Sequence, residues 1–402
     1  MRLEGRTVVL GVTGGIAAYK APEIVRAFKA RGARVRVILT RSAREFVTPL
    51  ALQTLSGEPV STELFDLTQE SQIGHIALAD GADVVLVAPA TANLIGKLSW
   101  GIADDLLTTV LLATRAPVVV APAMNVHMLA HPSVEENLQR LAARGTRIVE
   151  PDAGPLACGY EGRGRLPDAA VLVEEVKAAL AQQDLAGERI LVTAGPTREF
   201  LDPVRFLSNR SSGKMGFEIA RAAARRGADV LLVAGPNSLE PLRGVRSVDV
   251  VSAEDMARAV GTHLADRTVV VAAAAVADYK PVTRAATKTA KTRGASAIEV
   301  ESTIDVLGTL RRPRPDTIVV GFAAETHDVA ARARDKLARK GLDLIVANDV
   351  TAAGAGFDVD TNVVTLIDAA GTEALPLLDK EEVAEAILDR VVKLRAAGFS
   401  RA

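Results

Sequence analysis

The sequence predicts an α/β protein built from two Rossmann-like, doubly wound domains, and three observations predict it. Short β-branched runs alternate with amphipathic helical patterns along nearly the whole chain, which is typical of parallel βα units. The runs are continuously apolar, which indicates sheets covered by helices on both faces. The chain has 402 residues, 49% of them hydrophobic, enough for two or three domains with cores of their own.

The apolar runs fall into two series of predicted strands, one in each half of the chain. The first series covers residues 7–12, 35–39, 84–87, 118–120 and 147–149. The second covers residues 190–192, 230–233, 269–271, 318–320, 344–346 and 363–367. An Ala-rich helical pattern at 171–180 separates the two series, so each half is predicted to form its own sheet.

The boundary between the domains is predicted within the polar stretch 181–188, and we assign residues 1–186 and 187–402 to the two domains. Both halves begin alike, because a strand leads into Thr13-Gly14-Gly15 in one and into Thr193-Ala194-Gly195 in the other. Sheets of this type bind ligands beyond the carboxyl ends of their strands. We therefore expect two separate nucleotide-type sites.

The charge balance argues against several classes of partner. Forty-eight basic and 49 acidic side chains leave a formal charge of -1, so no bulk field attracts nucleic acid or an anionic membrane. The longest apolar run after the N-terminal stretch, 269–277, is far shorter than the roughly 20 residues that span a bilayer. We expect a partner set of small molecules, with no nucleic acid and no membrane.

Two sequence features, the N-terminal stretch and the cysteine content, indicate the cellular compartment. Arg2 and Arg6 precede an apolar stretch, but glycines interrupt it and it continues into a helical pattern, so we interpret it as a strand and not as a signal peptide. The single cysteine, Cys158, cannot form an internal disulfide, and the sequence has no Cys/His cluster with zinc-ligand spacing. We predict a cytoplasmic protein.

Glycines and hydroxyl side chains follow the first two strands. Gly14 and Gly15 lie between a strand and a helical pattern, where backbone N–H groups can approach a phosphate. Thr40 and Ser42 follow the next strand and can meet the same phosphate. The full G-x-G-x-x-G fingerprint is absent, which disfavours NAD without excluding it. A tight turn that binds nothing is the alternative.

Further motifs of the first half carry a family resemblance. Gly74-His75, the segments 89–93 (PATAN) and 101–106 (GIADDL), and 122–128 (PAMNVHM) together resemble the homo-oligomeric flavin-containing cysteine decarboxylases. Residues 154–166, with Ala157-Cys158-Gly159, resemble the substrate clamp of the phosphopantothenoylcysteine branch. Leu129 departs from the tryptophan that commonly follows the methionine at position 128. The resemblance implies FMN, bound by Gly14, Gly15, Thr40, Ser42, Pro89, Ala90, Thr91, Asn93, Ala103, Asp104, Asp105 and Met124.

The same resemblance implies catalytic roles in the first half. His75 acts in the early oxidation and decarboxylation, Asn125 holds the substrate carboxylate, and Cys158 supplies the proton for the later reduction. A flavin is the electron sink that this decarboxylation needs. A thiol with a pKa of about 8.5 is mostly protonated at neutral pH, which suits an acid. Residue type alone favours a helix-packing histidine, an Asx-turn asparagine, a buried structural cysteine and acids at a helix N-terminus.

The second half carries a Ser/Gly loop and several lysines. Ser211-Ser212-Gly213 leads into a helical pattern and can cradle phosphate. The P-loop signature is absent because Met215 follows Lys214, which disfavours a kinase-type site. Lys336 and Lys340 are i, i+4 neighbours on a predicted helix and can face one ligand. Without further context, such lysines are usually a solvated helix face.

Together with 193–199, 202–205, 277–281 and 321–326, these segments resemble the phosphopantothenate–cysteine ligases. The resemblance implies an acyl-cytidylate intermediate, Lys288 in its formation, Asn209 in its conversion, and Mg²⁺. The loop reads Lys288-Thr289-Ala290-Lys291, so Ala290 replaces the middle lysine of the family's Lys-x-Lys-Lys. Implied nucleotide contacts are Ala273, Ala274, Ala275, Asp278, Lys288, Ile304, Asp305, Val306, Leu307, Phe322, Lys336 and Lys340. Implied substrate contacts are Arg205, Ser211 and Ser212 in this half, and Asn125 in the first half.

These resemblances predict a bifunctional enzyme of coenzyme A biosynthesis acting on 4′-phosphopantothenate, cysteine and CTP. They also imply a homo-oligomer, a dodecamer built from trimers. Two alternatives remain: a flavin-dependent decarboxylase of peptidyl cysteine whose second half only binds a nucleotide, and a non-catalytic regulatory flavoprotein. The identity of the metal ligands, and the preference for CTP over ATP, do not follow from the residues themselves.

Overall fold

The computed structural model describes residues 2–65, 74–157, 159–290, 297–310, 312, 314–325, 327–349, 351, 354–356 and 359–398. The chain forms two compact units, Arg2–Ala181 and Gln182–Ala402. Leu185 is buried in the core of the second unit. The stretch 182–186 therefore packs with the second unit.

The first unit contains a parallel five-stranded sheet. Its strands are β1 (Thr7–Val12), β2 (Arg34–Leu39), β3 (Val84–Ala90), β4 (Val118–Pro122) and β5 (Arg147–Ile148). Their order in the sheet is β2-β1-β3-β4-β5, with every pairing parallel. All five correspond to predicted strands. The order reverses direction between β1 and β3, which is the position where such sheets bind ligands.

Helices cover both faces of this sheet. They are α1 (Ala21–Lys29), α2 (Pro49–Ser56), α3 (Gly74–Asp80), α4 (Ala92–Trp100), α5 (Leu106–Ala113), α6 (Val126–Leu129), α7 (Pro132–Ala143) and α8 (Ala169–Leu180). Two 3₁₀ helices, Ile16–Lys20 and Arg41–Glu45, precede α1 and α2. The predicted helix after Gly15 is thus a 3₁₀ turn first, and the regular helix begins only at Ala21.

A β-hairpin outside the main sheet was not predicted as secondary structure. Its strands are β6 (Asp152–Pro155) and β7 (Glu161–Arg165). Gly164, at φ 152°, lies so close to α6 that an added Cβ would be 3.4 Å from the carbonyl carbon of Met124 and closer still to its oxygen. Because only glycine fits there, the hairpin rests directly on the segment that precedes α6.

The second unit contains an eight-stranded sheet. Its strands are β8 (Arg189–Ala194), β11 (Asp229–Ala234), β12 (Arg246–Asp249), β13 (Val269–Ala272), β16 (Ile318–Glu325), β17 (Leu344–Asp349), β19 (Val364–Asp368) and β20 (Gly371–Ala374). Their order is β12-β11-β8-β13-β16-β17-β19-β20. The first six are parallel in the Rossmann order, whereas β19 and β20 join antiparallel. The two exposed edge strands, β12 and β20, were not predicted.

Short antiparallel strand pairs and helices complete the described part of the second unit. The strand pairs join β9 (Arg198–Phe200) with β10 (Phe206–Ser208), β14 (Tyr279–Pro281) with β15 (Val300–Ser302), and β18 (Thr361–Asn362) with β21 (Leu378–Asp379). The helices are α9 (Lys214–Arg225), α10 (Ala253–His263), α11 (Val329–Lys340) and α12 (Lys380–Ala396). Helices α9 and α12 cover one face of the sheet, and α10 and α11 cover the other. The second unit is therefore doubly wound, as predicted.

Candidate functional site

A buried hydroxyl links β1 to β3 at the switch point of the first sheet, where the strand order reverses. The Thr13 side chain, directly after β1, donates a hydrogen bond to the Pro89 carbonyl at 2.7 Å. Its oxygen accepts the N–H of Thr91 at 3.0 Å. The β1 turn and the end of β3 are therefore fixed to each other. Thr91 also caps α4, accepting the N–H of Leu94 at 3.5 Å.

The β1 turn also touches the segment after β2. A Cβ on Gly14 would lie 2.8 Å from the Ser42 carbonyl carbon, and one on Gly15 would lie 3.6 Å from Thr91 Cγ2. The Thr40 hydroxyl is buried and has no hydrogen-bond partner among the described residues. A buried polar group without a partner is costly unless a ligand satisfies it. These residues fit the phosphate end of the flavin that the sequence resemblance implies.

The GIADDL segment is placed by helix capping and an ion pair. The Asp105 carboxylate accepts the N–H of Thr108 at 2.8 Å and caps α5. Asp104 accepts hydrogen bonds from Lys97 at 2.7 and 2.9 Å, and these lower the pKa of its carboxyl. Asn93 and Ala103 are exposed beside them. Asp105 thus has the structural role that residue type alone suggested, and its contact with a cofactor stays a prediction.

The Met124-Asn125 segment lies between β4 and α6 and joins the same edge of the sheet. The N–H of Ala123 donates to the Ala90 carbonyl at 3.1 Å, and the N–H of Met124 donates to Gly164 of the hairpin at 3.1 Å. The Asn125 carboxamide oxygen accepts the N–H of His127 at 2.8 Å, which is the Asx-turn geometry. Contacts therefore run from the β1 turn through β3 and β4 to the hairpin.

Cys158, which falls between β6 and β7 in the sequence, lies outside the described residues. His75 is the second residue of α3, half-buried, and α3 packs on α5. No described contact connects His75 with the β1 turn or with Asn125. The structure therefore brings together the predicted residues of β1, β2, β3 and β4, and the joint placement of His75 and Cys158 with them stays a prediction.

At the switch point of the second sheet, between β8 and β13, a threonine hydroxyl again accepts a hydrogen bond from the segment after the neighbouring strand. The Thr193 hydroxyl accepts the N–H of Ala274 at 3.2 Å, and the Gly195 carbonyl accepts the N–H of Ala275 at 2.9 Å. Beyond β13, the Thr197 hydroxyl accepts the N–H of Ala277 at 3.0 Å. Two of the predicted nucleotide-binding alanines, Ala274 and Ala275, are thus held by a hydroxyl at the end of β8 and by a backbone carbonyl of the turn after it.

Asn209, predicted to act on the activated carboxyl, reaches this same segment. Its side-chain N–H donates to the Val276 carbonyl at 2.7 Å. Asp278 follows and is exposed, and its carbonyl accepts the N–H of Thr303 at 3.0 Å. The structure therefore brings Asn209, Ala273–Ala275 and Asp278 to one edge, with the segment 304–307 continuing from Thr303.

Three glycines make the junction beside α9 unusually close. Gly195 and Gly213, at φ 77° and 81°, approach so that a Cβ on Gly213 would lie 3.4 Å from Gly195 Cα. A Cβ on Gly235 would lie 2.9 Å from the Pro196 carbonyl carbon. Gly213 caps α9 without a side-chain hydrogen bond, and Ser211 accepts its N–H at 3.3 Å. Ser212 is half-buried next to it.

The two predicted lysines of α11 meet different partners near Asp305. Lys336 donates to the Phe322 carbonyl at 2.8 Å, and burial lowers the pKa of its ammonium group. Lys340 forms an ion pair with Asp305. Burial alone would raise the pKa of Asp305, but the hydrogen bonds from Lys340 and Gly308 and the two lysine charges lower it. Lys336 and Lys340 therefore act on one carboxylate; Val306, which follows it, is buried.

Lys288 is exposed in the loop between β14 and β15. Arg205 forms an ion pair with the buried Asp202, with Nη2–Oδ2 2.6 Å, and its contact with substrate stays a prediction. Within the described ranges, no three His, Cys, Asp or Glu side chains gather in a group able to hold a metal ion. Likewise, none of the helices in those ranges is long and apolar enough to cross a bilayer.

Sequence reasoning missed Thr13, Thr193, Thr197 and Asp202 as site residues. The three threonines support the sites through buried hydroxyl contacts with backbone groups. The sequence feature that could have identified these threonines is their position. Each lies at or shortly after the end of the first strand of its sheet, where the chain must turn towards the switch point. Gly164 likewise had a signal, because a G-x-G run in a hairpin favours close backbone approach.

Comparison with known proteins matches each unit separately. The Flavoprotein family profile matches residues 1–181, and the profile of the DNA/pantothenate metabolism flavoprotein C-terminal domain matches residues 185–394. The chain is 48% identical to the coenzyme A biosynthesis bifunctional protein CoaBC of Vibrio cholerae, covering 96% of this chain and 98% of that protein. It is 47% identical to the protein of that name from Bacillus subtilis, covering 98% of both.

Among solved structures, the crystal structure of the C-terminal domain of a coenzyme A biosynthesis bifunctional protein CoaBC is 43% identical. It covers 54% of this chain and all of that chain, with a TM-score of 0.46.

Proposed function

This chain belongs to the family of bifunctional coenzyme A biosynthesis proteins, with a flavoprotein decarboxylase and a ligase, and on that premise we propose how its residues divide the work. The decarboxylase occupies the first unit and the ligase the second. The ligase joins 4′-phosphopantothenate and cysteine with CTP, and the decarboxylase converts the product to 4′-phosphopantetheine. The observation that supports the proposal is that several predicted residues lie in contact at the switch point of each sheet, Thr91 in the first unit and Asn209 and Ala274 in the second.

In the first unit we propose that the flavin is FMN. Gly14, Ser42 and Thr40 would hold its phosphate, and the Thr40 hydroxyl, which has no hydrogen-bond partner among the described residues, would gain one. The bound flavin supplies reversible two-electron oxidation of the thiol-bearing carbon, which makes loss of CO₂ possible. Asn125 holds the substrate carboxylate at the end of β4, His75 assists the early steps, and Cys158 delivers a proton to the decarboxylated product.

In the second unit we propose two steps at the edge formed by β8 and β13. First, the pantothenoyl carboxylate attacks the α-phosphorus of CTP, an acyl–oxygen–phosphorus link forms, and pyrophosphate leaves. Lys288 stabilises the charge that develops there. Then the cysteine amine attacks the acyl carbon, the bond to CMP breaks, and the amine loses a proton. Asn209 orients the acyl group in this second step.

Lys336 and Lys340 suit the phosphates of the nucleotide, because phosphate oxygens can replace Phe322 and Asp305 as their partners. Mg²⁺ would arrive with the triphosphate, since this ion is commonly held by one or two carboxylates together with substrate phosphates. We place the enzyme in the cytoplasm, where its small-molecule substrates are soluble.

One experiment tests the whole proposal. The purified protein is incubated with 4′-phosphopantothenate, cysteine, CTP and Mg²⁺, and the products are followed by mass spectrometry. Both CMP and 4′-phosphopantetheine must appear. CMP without 4′-phosphopantetheine would refute the decarboxylase assignment. Absence of CMP would refute the ligase assignment, and the decarboxylase is then tested separately on added 4′-phosphopantothenoylcysteine.

Gly14→Ala is expected to yield a colourless or nearly colourless protein. The added methyl group would overlap Ser42, so the β1 turn must move away from the residue that closes the phosphate site. The measurement is flavin content from the absorbance near ~450 nm after purification with added FMN. Gly96→Ala on α4 is the matched control, because its new methyl group would lie 3.9 Å from Asn137 and should leave flavin content unchanged. Full flavin content in Gly14→Ala would contradict the placement.

We further propose trimers of the first unit, joined through pairs of second units into a dodecamer. Large apolar side chains exposed on the first unit support such contacts, among them Leu50 at 72% and Trp100 at 66% exposure. Light scattering should give a mass of 12 chains, and fully active monomers would exclude the assembly.

A further inference from the structure

The loop that carries Lys288 depends on the β9–β10 hairpin for its position. Its described part, residues 282–290, contains no helix or strand. Two of its contacts fix the start of the loop. The N–H of Ala285 donates to the Leu201 carbonyl at 2.8 Å, and the Arg284 guanidinium lies 5.0 Å from the centre of the Phe200 ring. The loop therefore runs along the turn that joins β9 to β10.

A buried carboxylate in that turn provides the next contact. Asp202 is fully buried, and its Oδ1 accepts the N–H groups of Val204 at 2.8 Å and Arg205 at 2.9 Å. Its Oδ2 accepts Arg205 Nε at 2.8 Å and also the N–H of Thr289 at 3.3 Å. One carboxylate thus shapes its own turn and reaches across to the residue that follows Lys288.

Arg205 provides a second hydrogen bond to the backbone of Thr289. Its Nη2 donates to Asp202 Oδ2 at 2.6 Å and to the Thr289 carbonyl at 2.8 Å. Both the N–H and the C=O of Thr289 are therefore held by the same ion pair. Thr289 is covalently joined to Lys288, so these hydrogen bonds fix the backbone from which the Lys288 side chain extends.

We infer that Asp202 and Arg205 are positioning residues for Lys288 in formation of the acyl-cytidylate. The inference rests on the proposed ligase function of Lys288 and adds two residues that act through it. Lysine has four rotatable side-chain bonds, so holding its ammonium group at a reacting phosphate costs entropy. Fixing the adjacent peptide lowers that cost before the nucleotide binds, and misplacement by about 1 Å can cost roughly 100-fold in rate.

The ion pair persists throughout the pH range in which the ligase would work. Hydrogen bonds from Arg205 hold the pKa of Asp202 well below its usual range, against the opposing effect of burial. A carboxyl whose pKa is depressed by folding stabilises the fold above its ordinary value of about 4. That stabilisation is lost only as the pH falls through the depressed value. The Asp202–Arg205 ion pair, and with it the contact to Thr289, is therefore not a pH switch near neutrality.

The test is Asp202→Asn in the full-length protein, supplied with CTP, Mg²⁺ and 4′-phosphopantothenate but no cysteine. We expect pyrophosphate release and acyl-cytidylate formation to slow by roughly 10- to 100-fold, with CTP affinity near that of the unsubstituted protein. The second step, measured by adding cysteine to isolated acyl-cytidylate, should keep its rate. A general loss of structure would instead slow both steps and weaken CTP binding.

Asp343→Asn is the matched control. Asp343 is also a buried carboxylate that accepts a backbone N–H, from Val319 at 2.7 Å, and an arginine, Arg312 Nη1 at 2.7 Å. It lies at the amino end of β17, whereas the predicted contacts Ala273–Ala275 follow the carboxyl end of β13, a parallel strand of the same sheet. The Asp343 variant should lose comparable thermal stability without the selective defect in the first step.

The outcomes separate the inference from the function on which it rests. If Asp202→Asn slows the first step no more than Asp343→Asn does, the positioning role is wrong while the ligase site stands. If Lys288→Gln forms acyl-cytidylate at the normal rate, the proposed role of Lys288 is wrong, and Asp202 then has nothing to position.

Discussion

Lys288→Gln is expected to abolish acyl-cytidylate formation, with no CMP released even when cysteine is present. Negative charge builds up around the α-phosphorus during attack, and a neutral amide cannot stabilise it as an ammonium group does. Loss of a single group that stabilises developing charge costs about 100- to 1,000-fold in rate. Rapid-quench mass spectrometry of the first turnover measures this directly. Lys393→Gln, which removes the same charge from an exposed position on α12, should behave as the unsubstituted protein.

Asn209→Asp should have the reverse effect of Lys288→Gln: the first ligase step should proceed, and the second should be slowed. Its side-chain N–H holds the Val276 carbonyl, and the carboxylate of the variant cannot donate that hydrogen bond. Activation should still occur, because Lys288 is intact, but the acyl-cytidylate should accumulate when cysteine is added. Should both variants ligate at the normal rate, the second site would have to be sought away from this edge.

The second large effect is expected for Cys158→Ser, given phosphopantothenoylcysteine without oxygen. A hydroxyl is far less acidic than a thiol, so the step that needs a proton should stall after CO₂ has left. The variant should release CO₂, lose absorbance near ~450 nm, and accumulate a product two hydrogens short of 4′-phosphopantetheine. Ligation should stay normal, because Cys158 belongs to the first unit.

His75→Asn provides the comparison, since it removes a group assigned to the first step. Its absorbance near ~450 nm should not change on addition of substrate, and no CO₂ should form. Normal yields of 4′-phosphopantetheine from Cys158→Ser would show that the cysteine is structural and that another group supplies the proton.

The sheets were predictable from sequence because their strands are buried on both faces. Every predicted strand is present, since a run such as Val269–Ala272 can be satisfied only inside a covered sheet. The missed strands are short, and several of them are exposed. Gly371–Ala374 is exposed throughout and pairs only with β19, so its hydrogen bonds depend on a neighbour that local sequence does not reveal.

The candidate sites were predictable where glycine or hydroxyl residues follow a strand, as at Gly14 and Thr40. The use of Asp202 was not, because its partner Thr289 lies 87 residues away and contact between them depends on two hairpins meeting. The role of the α11 lysine pair also depended on knowledge of the fold. Only the packing of α11 beside Asp305 distinguishes these lysines from an ordinary solvated face.

The glycine junction beside α9 has a consequence for inhibitor design. A compound seated there would meet peptide groups, because no side chain extends from Gly195, Gly213 or Gly235. A substitution at Gly235 would drive its Cβ into Pro196, so the most direct route to drug resistance would also damage the fold. Compounds anchored on these backbone groups should therefore select resistance more slowly than compounds that depend on the exposed side chain of Lys288.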